Sequence, residues 1–201
     1  MVEQQKVRTR PYRLGRRQAT VDETRARIAE ATFQLHSEVG PARTTISAIA
    51  ERAGVQRHTV YNHFPDLKAL FQACTAHGMR VMGMPHAEPW RSIGDPTERL
   101  RHALAELYGV YRTNARAIGT ILRDMPVFAD IGGDEAYEDR MAALFGALTD
   151  GWPDDEATRQ VRGAAIGHAM RFETWQSLTA GGLSDDQARE LMVELVTRIG
   201  R

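Results

Sequence analysis

The twenty residues 45–64, TISAIAERAGVQRHTVYNHF, can fold in very few ways. Ile46, Ile49, Ala50 and Ala53 recur at the spacing of one face of a two-turn helix, and Thr45 stands where a side-chain oxygen caps the first free N–H groups. Gly54 follows and supplies the left-handed backbone of a sharp turn. Val55 fills the angle, and Val60 with Phe64 forms the inward stripe of a second short helix. The pattern predicts a helix-turn-helix.

The outward face of that second helix holds Gln56, Arg57, His58, Thr59, Tyr61, Asn62 and His63. It has hydrogen-bonding groups throughout and no carboxylate, whereas an ordinary solvated helix carries Glu and Lys pairs. Such a face suits a groove lined by phosphates. The charge distribution points the same way, although the formal net charge is zero. Residues 1–80 carry 13 Lys and Arg against 7 Asp and Glu, and residues 81–201 carry 13 against 19, so the N-terminal part is the one a polyanion attracts.

All eight prolines fall between apolar helical periods, and no alternating strand pattern appears, so the chain is expected to be all-α. Capping boxes are expected at Thr20 with Glu23, Asp95 with Glu98 and Ser184 with Gln187. Helices are placed at about 20–39, 45–53, 56–63, 66–80, 96–113, 115–125, 134–150, 154–179 and 184–199. Residues 1–19, with Lys6, Arg8, Arg10, Arg13, Arg16 and Arg17, read as a flexible basic arm. Residues 20–80 read as a three-helix DNA-binding domain and residues 81–201 as a larger helical bundle. No run is apolar enough for a membrane span or signal peptide, and the single cysteine, Cys74, reads as packing in a reducing cytoplasm.

The stretch RTTISAIAERAGVQRHTVYNHFPDLKALF, residues 43–71, resembles the DNA-binding region of TetR-family regulators, and Ile28, Ala31 and Phe33 suit that family's first helix. The resemblance implies that Thr45 and Tyr61 hold phosphates while Ser47, Arg57, His58, Thr59 and Asn62 lie near base edges, with Gln56 beside them. Their chemistry agrees. Arg57 can pair bidentately with guanine, Asn62 with adenine, and Thr59 can offer a methyl group to thymine. Where the family commonly has a phosphate-binding Lys this chain has Leu67, which reads as packing, and Lys68 follows one position later, about 100° around the helix. Lys68 is carried as a DNA-binding candidate through its flexible stem.

In the larger part, the resemblance implies that the last two predicted helices form a four-helix homodimer interface. Gly163, Ala164 and Gly167 are expected to allow close approach, beside a stripe of Val161, Ala165, Phe172 and Trp175. Leu191, Met192, Leu195, Val196 and Ile199 exceed what one narrow stripe needs. The resemblance also implies a pocket for a small apolar effector, with Met82, Tyr108, Tyr111, Phe128, Phe145 and Trp175 as its candidate lining. The expected role is a cytoplasmic repressor released from a palindromic double-stranded DNA operator. An architectural, effector-independent DNA-binding protein is the alternative. No nucleophile elbow, phosphate-binding Gly loop, HExxH helix or zinc-spaced Cys-His cluster occurs, so no catalytic residue, metal or cofactor is expected. His77, His86, His102 and His168 read as ordinary surface or core histidines.

Overall fold

The computed structural model describes residues 10–126, 134–153 and 155–200, with side chains from residue 18 onward. Its described elements are helices: α1 Arg10–Glu38, a 3-10 turn Pro41–Arg43, α2 Ile46–Ala53, α3 Arg57–His63, α4 Leu67–Val81 and α5 Ala87–Arg91. The chain continues with α6 Pro96–Asp124, α7 Glu135–Thr149, α8 Glu156–Ala169, α9 Phe172–Ala180 and α10 Asp185–Thr197.

Two apolar clusters organise these helices. The smaller joins Ile28, Ala31 and Leu35 of α1 to Ile49, Ala50 and Ala53 of α2, Val60 of α3 with Phe64 just after it, and Leu70 of α4. The larger is built on Leu100, Leu104 and Leu107 of α6, Trp90 of α5, Leu144 and Leu148 of α7, Ile166 of α8 and Val193 and Val196 of α10. Full burial of each such side chain contributes about 1.5–3 kcal/mol. α1 and α4 also pack against each other and reach the larger part, α1 through α6 and α4 through α7.

Arginines close several helix ends, where free carbonyls need donors and the dipole favours a cation. Buried Arg99 donates to Ile93, Gly94, Ala147 and Asp150 carbonyls, closing the end of α7 against the loop before α6. Buried Arg162 stacks 4.3 Å from the Trp152 ring and donates to the carbonyls of Val196, in the last turn of α10, and of Ile199 just beyond it.

Five sequence expectations change. The first helix begins at Arg10, so residues 10–19, expected as a flexible arm, are helical, and residues 1–9 lie outside the described residues. No proline falls between Pro11 and Pro41, so the packed part of α1 propagates backwards through good helix formers. The Thr20–Glu23 capping box is therefore absent: Thr20 is intrahelical, and its carbonyl accepts from Thr24 Oγ1 at 2.9 Å. Asp95 and Ser184 do cap, the latter with Gln187 in a reciprocal box.

The two helices expected at 96–113 and 115–125 are one, kinked at Asn114 (φ −115°, ψ 16°), whose side-chain amide donates to Val110 O at 2.8 Å. The helix expected at 154–179 is two. It breaks at Arg171, which is extended (φ −77°, ψ 142°). The carbonyls freed there are taken by side chains: Tyr108 Oη donates to Ala169 O at 2.9 Å, Tyr111 Oη to Met170 O, and Thr174 Oγ1 to His168 O at 2.6 Å. The 83–94 loop, finally, contains the short helix α5, anchored by Trp90, which is buried and donates to Glu106 at 2.6 Å.

Candidate nucleic-acid interface and internal cavity

Thr45 caps α2, its Oγ1 accepting from Ala48 N at 3.1 Å. Gly54 ends it in the left-handed region (φ 65°, ψ 39°), and Val55 N returns to Ala50 O at 2.9 Å. That bond fixes the angle at which α3 leaves the turn. α3 then buries Val60 and presents its other side to solvent. Of the DNA-binding candidates, Thr45, Ser47, Gln56, Arg57, His58, Tyr61 and Asn62 are exposed, while Thr59 and Lys68 are partly so. Leu67, expected to pack, is 49% exposed because it is the first residue of α4, directly after the cap Asp66.

Two arginines of α1, which the sequence reading passed over, hold this unit. Arg25 lies 4.1 Å from the centre of the Phe64 ring and donates to the His63 carbonyl at 2.5 Å, closing the end of α3. Arg27 donates to Ala53 O at 3.4 Å at the end of α2. Arg52 of α2 forms a two-pronged pair with Glu38 of α1, both contacts at 2.8 Å. The helix α3 is thus tied to α1 by cation–π, charge-assisted and apolar contacts together.

Between α1, α4, α6, α7 and the α8–α9 junction lies a cavity of about 500 Å³. Six of the eight methionines line it: Met79, Met82, Met84, Met125, Met141 and Met170. Of the residues proposed from sequence, Met82, Tyr111 and Phe145 border it. Tyr108 and Trp175 do not: Tyr108 is buried beneath the α8–α9 break, and Trp175 packs on Phe172 and donates to Asp185 at 2.9 Å. Phe128 lies outside the described residues.

Residues of the DNA-binding part, absent from the sequence-based list, supply one wall: Phe33 and His36 from α1, Phe71 and Cys74 from α4. Burial holds the His36 imidazole down at about 4, against a smaller opposing pull from Asp124, so the ring is neutral near pH 7. Burial pushes the Cys74 thiol up to about 12. The two lie 3.5 Å apart, His36 Nδ1 to Cys74 Sγ. A histidine on the apolar stripe of Ile28, Ala31 and Leu35 was the available sequence signal.

The cavity adjoins the joint that leads into α2. Asp124, at the end of α6, accepts from Ala42 N at 3.1 Å and pairs with Arg123 at 2.8 Å. Arg123, and then the Ala42 N–H, hold its carboxyl below the usual aspartate range. Gly40 lies flat on this carboxylate at φ 92°, where an added Cβ would stand 2.2 Å from Oδ2.

An exposed, carboxylate-free helix set by a capped helix and a left-handed glycine, on a helical body with its own cavity, defines a helix-turn-helix transcriptional regulator. Residues 28–74 match the family model described as bacterial regulatory proteins, tetR family. Over this stretch the chain is similar to the DNA-binding region of TetR-family regulators. It is 28% identical over 175 residues, 86% of this chain and 83% of the relative, to an HTH-type transcriptional regulator of Mycobacterium tuberculosis. Over 51 residues, 25% of this chain and 24% of the relative, it is 49% identical to the HTH-type transcriptional regulator TtgR of Pseudomonas putida. Its fold is similar to that of a TetR-like transcriptional regulator from Rhodococcus sp. RHA1, with a TM-score of 0.58 at 21% identity, covering 87% of this chain and 94% of that one. Among the described residues no helix is long and apolar enough to cross a membrane.

Proposed function

We propose that the chain is a cytoplasmic homodimeric repressor that leaves a palindromic operator when a small apolar effector fills the cavity. The observation that carries the reading is the placement of the cavity: α1 and α4, which hold the helix-turn-helix, also form its wall. A ligand that displaces either helix moves α3 as well. In this reading residues 20–80 read DNA and residues 81–201 bind the effector and the second subunit. Thr45, Tyr61 and Lys68 hold phosphates, whereas Ser47, Gln56, Arg57, His58, Thr59 and Asn62 face base edges.

One helix-turn-helix makes few base contacts, and a twofold pair multiplies them across two half-sites about 34 Å apart. An exposed apolar set is present for such a pair: Val161 of α8 and Leu191 and Leu195 of α10 are 57%, 37% and 50% exposed. Trp175 is buried in the chain's own core, while Gly163 and Gly167 are half-exposed beside Phe145 of the same chain. The test is selection of bound DNA from a random library, followed by titration of the selected complex with apolar compounds. A twofold-symmetric consensus and loss of binding on addition of a compound are expected. Binding without a consensus would overturn the reading in favour of an architectural protein.

A further inference from the structure

Polar groups on the cavity wall differ in depth. Thr75 and Tyr137 are partly or fully exposed, and Arg171 and Glu173, at the mouth, are exposed and paired with each other at 3.4 Å. Deeper in, Tyr111 has already spent its hydroxyl on the Met170 carbonyl. His36 is only 4% exposed, and among the described residues its ring makes one hydrogen bond, from or to Cys74 through Nδ1. His36 lines the chamber, and among the described residues no hydrogen bond engages its Nε2, which keeps its bonding capacity.

We propose that the cavity takes an uncharged, largely apolar molecule bearing one hydroxyl or carbonyl group, and that His36 is the residue that recognises that group. The inference rests on the reading of this cavity as the effector site. Among the described residues an ionised ligand finds no partner within: the deep histidine is neutral, the thiol is protonated, and the charges at the mouth neutralise each other in water. Asp124, the nearest buried acid, is committed to Arg123 and to the Ala42 N–H. Burying an unpaired charge costs far more than burying a hydroxyl that keeps one hydrogen bond. The methionines adapt to the shape of the apolar remainder, so His36 provides a fixed directional contact at depth.

The test displaces a neutral fluorescent probe, N-phenylnaphthylamine, from the full chain with four naphthalenes of one skeleton: naphthol, methylnaphthalene, naphthoate and naphthylmethylammonium. Naphthol should compete roughly tenfold better than either ion and about fivefold better than methylnaphthalene. His36→Phe should bring naphthol down to methylnaphthalene, and His36→Gln, which retains hydrogen-bonding groups, should restore a preference. Met141→Trp, which fills the chamber, should abolish probe binding.

Ions that compete as well as naphthol would overturn the ligand class, on the wild-type chain alone. A naphthol advantage that survives in a folded His36→Phe chain, or a naphthol advantage missing from wild type, would overturn the role of His36. Probe binding unaffected by Met141→Trp would place it elsewhere and overturn both. None of these readouts uses DNA, so naphthol selectivity without operator release would reject the proposed switch and leave this inference standing.

Discussion

Arg57 and Tyr61 are both exposed on α3, yet their chemistry separates their roles. A guanidinium can meet the two acceptors of a guanine edge, whereas a phenol on a rigid ring offers one hydroxyl, suited to a phosphate. Arg57→Ala should therefore lose about 1–3 kcal/mol on the selected operator and relax preference at one position per half-site. Tyr61→Phe should weaken operator and random DNA alike. Binding measured on both DNAs checks this, and an equal loss on both for Arg57→Ala would contradict it. His36 makes a second prediction at this scale, since its native value of about 4 lies below the ordinary 6.5. On acidification from pH 6.5 to 4 the unfolded chain takes up the proton first, so stability is full above this window and falls through it, by at most about 3 kcal/mol. Denaturant unfolding at several pH values should show that slope, and His36→Phe should flatten it between pH 6.5 and 5; an unchanged slope would exclude His36 as its source.

At the scale of elements, the joint before α2 carries strain-sensitive geometry. Gly40 combines φ 92° with a backbone pressed onto Asp124, so Gly40→Ala should destabilise the fold by about 1–3 kcal/mol. Urea unfolding measures it, and a variant as stable as wild type would show that the joint yields freely. Legibility in the sequence also divides by element. The α2–α3 turn was readable because its determinants, Thr45, Gly54, Val55 and Phe64, are local. The α8–α9 break was not: it has no proline or glycine, and its carbonyls are satisfied by Tyr108 and Tyr111, about sixty residues away. The same hydrogen bonds explain why Tyr108 is core rather than lining. His36 and Cys74 were missed because the cavity draws a wall from helices that the sequence assigns to DNA binding, and helical periodicity shows which face is apolar without showing what faces it.

For the whole molecule, the proposed switch treats the two apolar clusters and the cavity between them as one device, in which DNA reading would depend on how α1 sits against α6 and α4 against α7. The proposed output uses two copies. Leu195 is half exposed on α10, and Leu195→Asp should leave the isolated fold intact while placing a charge in the proposed subunit contact. Mass in solution should fall from dimer to monomer, with operator affinity lost in parallel; a variant that stays dimeric would move the interface elsewhere. The central claim, that paired α3 helices read a twofold operator, is tested most directly by hydroxyl-radical footprinting of the wild-type chain on its selected site. Two protected patches on one face of the duplex, about one helical turn of roughly 34 Å apart, are predicted. A single protected patch, or even protection along the whole fragment, would contradict it.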